Sequence, residues 1–158
     1  MASLLAVDCG VKTGFALFGD DGRLKWYRSQ NFGAAYRLKR GIPGVLKAIT
    51  DLQWIVLEGG GNPADLWIAE ARKRDIMVLQ ISAETWRSRF LIPRNRRSGE
   101  QAKEHADEIA RRVIQWSGAP NPTSLRHDAA EAILAGLWGV MEVGWLHDSP
   151  FEILPPRP

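Results

Sequence analysis

The chain has 158 residues, of which 45% are hydrophobic and 25% are charged, and its formal net charge is +3. This length and composition are typical of one globular domain, which we expect to span residues 1–158. The single cysteine, Cys9, excludes an internal disulfide framework, and no apolar stretch is long enough to cross a membrane, so we expect a cytoplasmic protein with no membrane partner.

The first third of the chain predicts three short strands. The apolar run 4–7 ends at Asp8 and predicts a buried strand, and residues 15–18 predict a second strand after a tight turn. The sequence DDG at 20–22 is typical of a hairpin turn, and Leu24 begins a third strand of alternating character. Because the links are short, we expect these three strands to pair antiparallel.

Helices and strands alternate through the rest of the chain. Residues 34–50 have helical spacing of apolar positions, although Gly41, Pro43 and Gly44 interrupt it. Further helices are expected at 63–73, 100–116 and 127–141, further strands at 54–57 and 76–81, a polar and basic segment at 82–99, and a proline-rich tail at about 149–158. The pattern predicts an α/β fold with a five-stranded mixed sheet, in which strands 4–7 and 54–57 are neighbours and helices lie on both faces.

Acidic residues stand at the ends of two predicted strands and at the start of the last predicted helix. Asp8 follows LLAV, Glu58 follows WIVL, and Asp128 and Glu131 share one helix face, about 5–6 Å apart at Cβ. Converging carboxylates repel one another, so at least one should have a raised pKa, and a divalent cation would relieve the repulsion. Oxygen ligands select Mg²⁺ or Mn²⁺ over zinc, and two such ions about 4 Å apart can promote cleavage of a phosphodiester.

A basic cluster without acids lies between residues 87 and 97. Its members are Arg87, Arg89, Arg94, Arg96 and Arg97. The guanidinium group matches phosphate oxygens in shape and is always charged, so the cluster is a candidate site for a nucleic acid backbone. His127, at the start of the last helix, is a candidate phosphate contact.

Each of these features also has a purely structural interpretation. Asp8 would cap a turn, Glu58 would be an exposed loop acid, and the acids at 128 and 131 would stabilise the N-terminus of a helix. The basic cluster would form a solvated loop. The residues alone leave these alternatives open.

Three segments, in the same order, resemble the RuvC branch of the RNase H-like fold. LAVDCGVKTGFALF is similar to its first strand, turn and second strand, WIVLEG to its fourth strand with the catalytic glutamate, and RHDAAEAILAG to its last helix with the paired acids. SAETWRSRF, followed by a helix that carries Lys103, resembles phage and organelle relatives. The resemblance covers nearly the whole chain.

The resemblance implies a divalent-metal-dependent endodeoxyribonuclease, similar to Holliday junction resolvases, that cuts branched DNA in recombination or repair as a homodimer. Asp8, Glu58, Asp128 and Glu131 would hold two Mg²⁺ or Mn²⁺ ions, and Lys103 would join the DNA-binding residues. We expect Asp8, Glu58 and Asp128 to converge within one pocket, with Glu131 close behind. The chain departs from the family in having Glu at position 131 instead of Asp, and residues 59–62 replace an aromatic residue that opens the junction in bacterial resolvases. The choice among a four-way junction, a flap, a single strand and a hybrid therefore stays open.

Two other classes of function fit parts of the sequence. DCGVKTG also resembles the phosphate-binding turn of actin and sugar-kinase domains, but these proteins have two lobes and 158 residues supply only one. A nucleic-acid-binding protein of the same fold with weak or no catalytic activity is the other alternative, because Glu131 departs from the family. A metal-dependence assay on plasmid, single-stranded and branched DNA separates the three.

Overall fold

The computed structural model describes residues 1–154. Its strands are β1 (Ser3–Asp8), β2 (Lys12–Gly19), β3 (Leu24–Asn31), β4 (Leu52–Glu58) and β5 (Met77–Ile81). Its helices are α1 (Ala35–Ala48), α2 (Gly61–Lys73), α3 (Ala83–Phe90), α4 (Gly99–Ser117) and α5 (His127–Glu142), with a short 3-10 helix at Pro93–Arg96. Across these 154 residues we find no helix of the length and hydropathy that a membrane crossing requires.

The five strands form one mixed sheet in the order β3-β2-β1-β4-β5. β1 pairs antiparallel with β2 and β2 with β3, whereas β1, β4 and β5 run parallel. The predicted five-stranded mixed sheet and the predicted neighbourhood of strands 4–7 and 54–57 are therefore confirmed. We call the edge where β1, β4 and β5 end the carboxyl edge. β2 begins and β3 ends at this same edge.

Both faces of the sheet are covered, which explains why its central strands are apolar throughout. Successive side chains of a strand point to opposite faces. In β1, Leu4 and Ala6 pack against α3, α4 and α5, while Leu5 and Val7 pack against α1 and α2. The continuous run LLAV is thus two alternating sets of core residues.

Glycines let α5 lie directly on the sheet. A Cβ atom at Gly139 would come within 2.6 Å of Val56 Cγ2, and one at Gly136 would overlap the ring of Phe18. At the start of α5, a Cβ atom at Gly14 of β2 would overlap the backbone carbonyl of Asp128. These close approaches place the first turn of α5 at the carboxyl edge.

The segment expected to be polar and basic contains a helix, α3. Trp86 and Phe90 are buried and lie four residues apart, so they form the apolar face of a short amphipathic helix. The residues between them, Arg87, Ser88 and Arg89, and the two before them, Glu84 and Thr85, are polar or charged, which hides this face in a composition-based prediction. Arg87 and Arg89 consequently lie on a helix, and only the residues after Phe90 form a connection.

Two further expectations are also modified by packing. α1 continues through Pro43, because Leu38, Ile42 and Val45 are buried on one face and hold the helix against the sheet. The tail expected at about 149–158 lies partly in the core, since Ile153 is fully buried and its carbonyl accepts a hydrogen bond of 3.3 Å from Arg112 Nη1. Residues 155–158 of that tail lie outside the described residues.

Candidate metal centre

Two carboxylates meet at the carboxyl edge because their strands are parallel and in register. Asp8 ends β1 and is paired directly with Glu58, which ends β4. Adjacent strands lie about 4.8 Å apart, so the two side chains leave the sheet side by side. Glu131, in the first turns of α5, joins them, and one ligand atom from each of the three acids lies within 4.8 Å of the others. We call these three residues the acidic cluster.

Glu58 is the most enclosed member of the acidic cluster, with 4% of its surface exposed. Its Oε1 accepts a hydrogen bond from the indole Nε1 of Trp86 on α3. Its Oε2 is buried and has no hydrogen-bond partner. These surroundings contradict the alternative in which Glu58 is an exposed loop acid. A buried carboxylate oxygen without a donor is where a cation would complete the coordination.

The environment of the acidic cluster disfavours negative charge. Burial, with the nearby carboxylates of Glu58, Glu131 and Asp128, raises the pKa of Asp8 to about 9. Burial and the charge of Glu131 raise the pKa of Glu58 to about 7, although the hydrogen bond from Trp86 opposes this effect. The prediction of at least one raised pKa is confirmed. A divalent cation between the carboxylates would reverse the balance, because an opposite charge favours the ionised forms.

Glu131 is held by two basic side chains. Its Oε1 lies 2.9 Å from His127 Nε2, one helical turn earlier, and 3.3 Å from Arg87 Nη2 on α3. Arg87 also has a buried Nε without a hydrogen-bond partner, and its guanidinium lies 5.3 Å from the ring centroid of Trp86. Arg87 and His127 thus belong to the immediate surroundings of the acidic cluster, and both orient the carboxylate of Glu131.

Asp128 lies behind the acidic cluster rather than in it. Its Oδ1 accepts hydrogen bonds from the hydroxyl of Ser29 on β3 and, at 2.9 Å, from the backbone N–H of Ala129. Its charge nevertheless contributes to the raised pKa of Asp8. The sequence suggested that Asp128 would converge with Asp8 and Glu58 and that Glu131 would lie just behind. In the structure the longer side chain of Glu131 reaches the centre, and Asp128 is directed towards β3.

Three of the five basic residues between 87 and 97 line a pocket next to the acidic cluster. This arginine pocket has a volume of about 270 Å³. It is lined by Glu84, Arg87, Arg96, Arg97, Ser98, Gly99 and Ala102. The last three residues belong to the N-terminus of α4 or precede it directly, where backbone N–H groups attract anions.

The remaining residues of the predicted backbone-binding set differ in their surroundings. Arg96 forms an ion pair with Glu84 at the arginine pocket, and Arg89 lies 3.7 Å from Glu142. Arg94 and Lys103 are exposed. The structure thus brings Arg87, Arg96 and Arg97 to a common cavity, and the other basic residues are exposed outside it.

Sequence reasoning missed two residues that hold the acids in place. Trp86 donates to Glu58, and Ser29 donates to Asp128. The only available signal for Trp86 was a tryptophan within a polar segment, which indicates burial but not a partner. Ser29 carried no signal, since its contact joins residues 99 positions apart.

Comparison with known proteins identifies the architecture. No protein-family model matches the sequence, and no curated protein sequence matches it. The structure is similar to T. thermophilus RuvC in complex with a Holliday junction substrate, with a TM-score of 0.59 and 13% identity, over 90% of this chain and 97% of that one. It also matches the catalytic core domain of BIV integrase, with a TM-score of 0.37 and 12% identity, over 84% of this chain and 80% of that one. The fold of this chain is the RNase H-like fold of RuvC.

Proposed function

We propose that this protein is a divalent-metal-dependent endonuclease that hydrolyses phosphodiester bonds of DNA, and that its substrate is branched DNA of the Holliday junction type. The observation that carries the proposal is the acidic cluster, in which Asp8, Glu58 and Glu131 present ligand atoms within 4.8 Å of one another. The likeness to RuvC, whose structure contains a Holliday junction, supports the choice of substrate.

The residues of the centre fit a metal ion on three grounds. The ligands are carboxylate oxygens, which Mg²⁺ and Mn²⁺ prefer. Glu58 Oε2 is buried with no hydrogen-bond partner, and burial raises the pKa of both Asp8 and Glu58. Asp128, which lies behind the acidic cluster, would be a further ligand through Oδ2, because Ser29 and Ala129 occupy its Oδ1. A bound pair of metal ions would supply charge stabilisation for an attacking water and for the leaving oxygen.

The protein's own groups orient the ligands and the substrate. Trp86 fixes one oxygen of Glu58, so that the other is turned into the cluster. Arg87 and His127 hold Glu131 in place, and the guanidinium of Arg87 lowers the local negative charge that an incoming phosphate would meet. The arginine pocket is positioned to hold a neighbouring phosphate, because guanidinium groups and a helix N-terminus both favour anions.

The alternative of a nucleic-acid-binding protein with weak activity is favoured by one observation. Glu131 is engaged by both Arg87 and His127, and this engagement competes with metal binding. In that case divalent metal would change DNA binding without producing cleavage. The same experiment therefore separates the two functions.

The test is a cleavage assay with plasmid, single-stranded, flap and four-way junction DNA in Mg²⁺, Mn²⁺, Ca²⁺ or EDTA. We expect cleavage in Mg²⁺ or Mn²⁺, with a preference for the four-way junction. Asp8→Asn and Glu58→Gln should lower the cleavage rate by about a hundredfold or more, because each removes a ligand charge while keeping the side-chain shape. DNA binding should persist in both variants. Glu70→Gln, on the outer surface of α2, is the matched control and should cut at the wild-type rate.

Wild-type protein that binds DNA but cuts none of these substrates would exclude the nuclease. Cleavage of all substrates at equal rates would exclude only the preference for junctions. The proposed homodimer, which would supply two centres for two symmetric cuts, is tested by light scattering of the protein alone and bound to a junction. A complex that contains one protein chain per junction would refute it.

A further inference from the structure

A second polar cavity opens at the carboxyl edge, on the side of β2 and β3. Its volume is about 280 Å³. It is lined by Lys12, Ser29, Gln30, Asn31, Arg126 and Asp128, and we call it the β2–β3 pocket. Every lining residue is polar or charged, so the cavity is suited to a polar ligand rather than to an apolar one.

The two basic residues of the β2–β3 pocket are not engaged by acids. Lys12 begins β2, Arg126 precedes α5, and both are exposed. Among residues 1–154 neither forms an ion pair, whereas Arg87 and Arg96 of the arginine pocket pair with Glu131 and Glu84. The acid among the lining residues, Asp128, directs Oδ1 to Ser29 and Ala129 instead. The β2–β3 pocket therefore offers two positive charges that no acid pairs with, three neutral hydrogen-bonding side chains and one carboxylate that is engaged by Ser29 and Ala129. Positive charge beside neutral hydrogen-bonding groups is the chemistry that binds a phosphate group.

The β2–β3 pocket lies close to the acidic cluster. β2 is the neighbour of β1, and β3 is the neighbour of β2. One to two strand spacings, or about 5–10 Å, therefore separate the strands that line the pocket from the strand that carries Asp8. Asp128 lies in its wall and also acts on the pKa of Asp8. On the other side of the acidic cluster, Arg87 of the arginine pocket contacts Glu131. Two cationic pockets thus flank the carboxylates.

We propose that the β2–β3 pocket binds a DNA phosphate adjacent to the one that is cut, on the opposite side of the metal centre from the arginine pocket. Lys12 and Arg126 would neutralise this phosphate, and Gln30 and Asn31 would contact its sugar. A strand held at both pockets would have its intervening phosphate fixed at the acidic cluster. The inference rests on the proposed function, because it assigns one position on the same DNA strand.

The experiment uses the full chain and synthetic four-way junctions in which one phosphate at a time is replaced by a neutral methylphosphonate. Affinity is measured by fluorescence anisotropy in Ca²⁺, for the wild type and for Lys12→Ala/Arg126→Ala. We expect the double variant to bind the unmodified junction about tenfold more weakly or worse, as for the loss of charge-assisted contacts. One methylphosphonate position should weaken wild-type binding and have no further effect on the variant.

The matched control is Lys25→Ala/Lys47→Ala, which removes the same charge at the opposite edge of the sheet. Lys25 lies near the start of β3, Lys47 lies in the last turn of α1, and both are exposed. The control should show the wild-type methylphosphonate profile, that is, the same dependence of affinity on the position of the methylphosphonate. If Lys12→Ala/Arg126→Ala also keeps that profile, or if the wild type binds no junction, the β2–β3 pocket is not a phosphate site. A wild type that shows the profile but does not cut in Mg²⁺ would refute the nuclease and leave the pocket assignment intact.

Discussion

Replacing Glu58 by glutamine should stabilise the metal-free protein at neutral and alkaline pH. The pKa of Glu58 is raised from 4.5 to about 7, so the folded state keeps a proton that the unfolded chain loses between these values. The free energy of unfolding therefore decreases as the pH rises from about 4 to about 7, and above that range the penalty is complete. At about 1.4 kcal/mol per pH unit, this loss in the free energy of unfolding amounts to about 3 kcal/mol.

Glu58→Gln removes this penalty without removing the contacts of the side chain. The amide oxygen can still accept from Trp86, and the amide nitrogen can donate to the neighbouring carboxylates. For a domain of this size, about 3 kcal/mol corresponds to a rise in Tm of roughly 6–12 °C. The measurement is thermal unfolding in EDTA, followed by circular dichroism at pH 4 and at pH 8. We expect the gain at pH 8 and almost none at pH 4.

The control for this experiment is Glu70→Gln. Hydrogen bonds from Lys73 and Arg74 hold the pKa of Glu70 below its usual value, so removal of its charge should give no gain at pH 8. Adding Mg²⁺ should raise the Tm of the wild type and have a smaller effect on Glu58→Gln. A Glu58→Gln variant that is no more stable than the wild type at pH 8, or equally stabilised at both pH values, would refute the electrostatic account of the acidic cluster.

Two other predictions concern the packing of α5 and the basic surface. Gly136→Ala should destabilise the protein by about 1–3 kcal/mol in denaturant unfolding, because the added methyl meets the ring of Phe18. The control is Gly44→Ala in α1, where the added methyl has open space, and it should be neutral or stabilising by up to about 1 kcal/mol. Equal effects of the two substitutions on the free energy of unfolding would contradict the close packing of α5. Replacing Arg94, Arg96 and Arg97 by alanine should weaken binding to DNA of every shape, because phosphate contacts carry no sequence information. It should also reduce the slope of log affinity against log salt by about 0.9 for each lost phosphate contact on duplex DNA. An unchanged slope in Ca²⁺ would show that these arginines do not contact phosphate.

The sequence predicted those parts of the fold whose signals are local. The runs LLAV and WIVL are buried on both faces of the sheet, and continuous apolar character is what such strands require. The short turns around 10–14 and 20–22 allow only antiparallel pairing, so the arrangement of the first three strands followed from the length of these two links alone. These expectations needed no knowledge of which residues meet.

The parts of the fold and of the candidate site that depend on contacts between distant residues were harder to predict from the sequence. α3 was missed because its apolar face consists of only two residues, Trp86 and Phe90, within a basic segment. The relative placement of Asp128 and Glu131 depends on the angle at which α5 meets the sheet, and that angle is determined by contacts at Gly14, Gly136 and Gly139. Spacing along a helix shows that two acids share a face, but not which of them reaches a third acid on another element.

The division of the acidic cluster between the sheet and α5 has a consequence for when the centre forms during folding. Asp8 and Glu58 are brought together by the β1–β4 pairing, which involves only the first 58 residues. Glu131 arrives with α5, whose contacts with β1 and β2 join segments more than a hundred residues apart, and such long-range contacts form slowly. A partly folded chain would therefore have a nearly complete sheet and an incomplete set of carboxylates. Until the last helix docks on the sheet, the chain would therefore lack one of the three carboxylates of the acidic cluster.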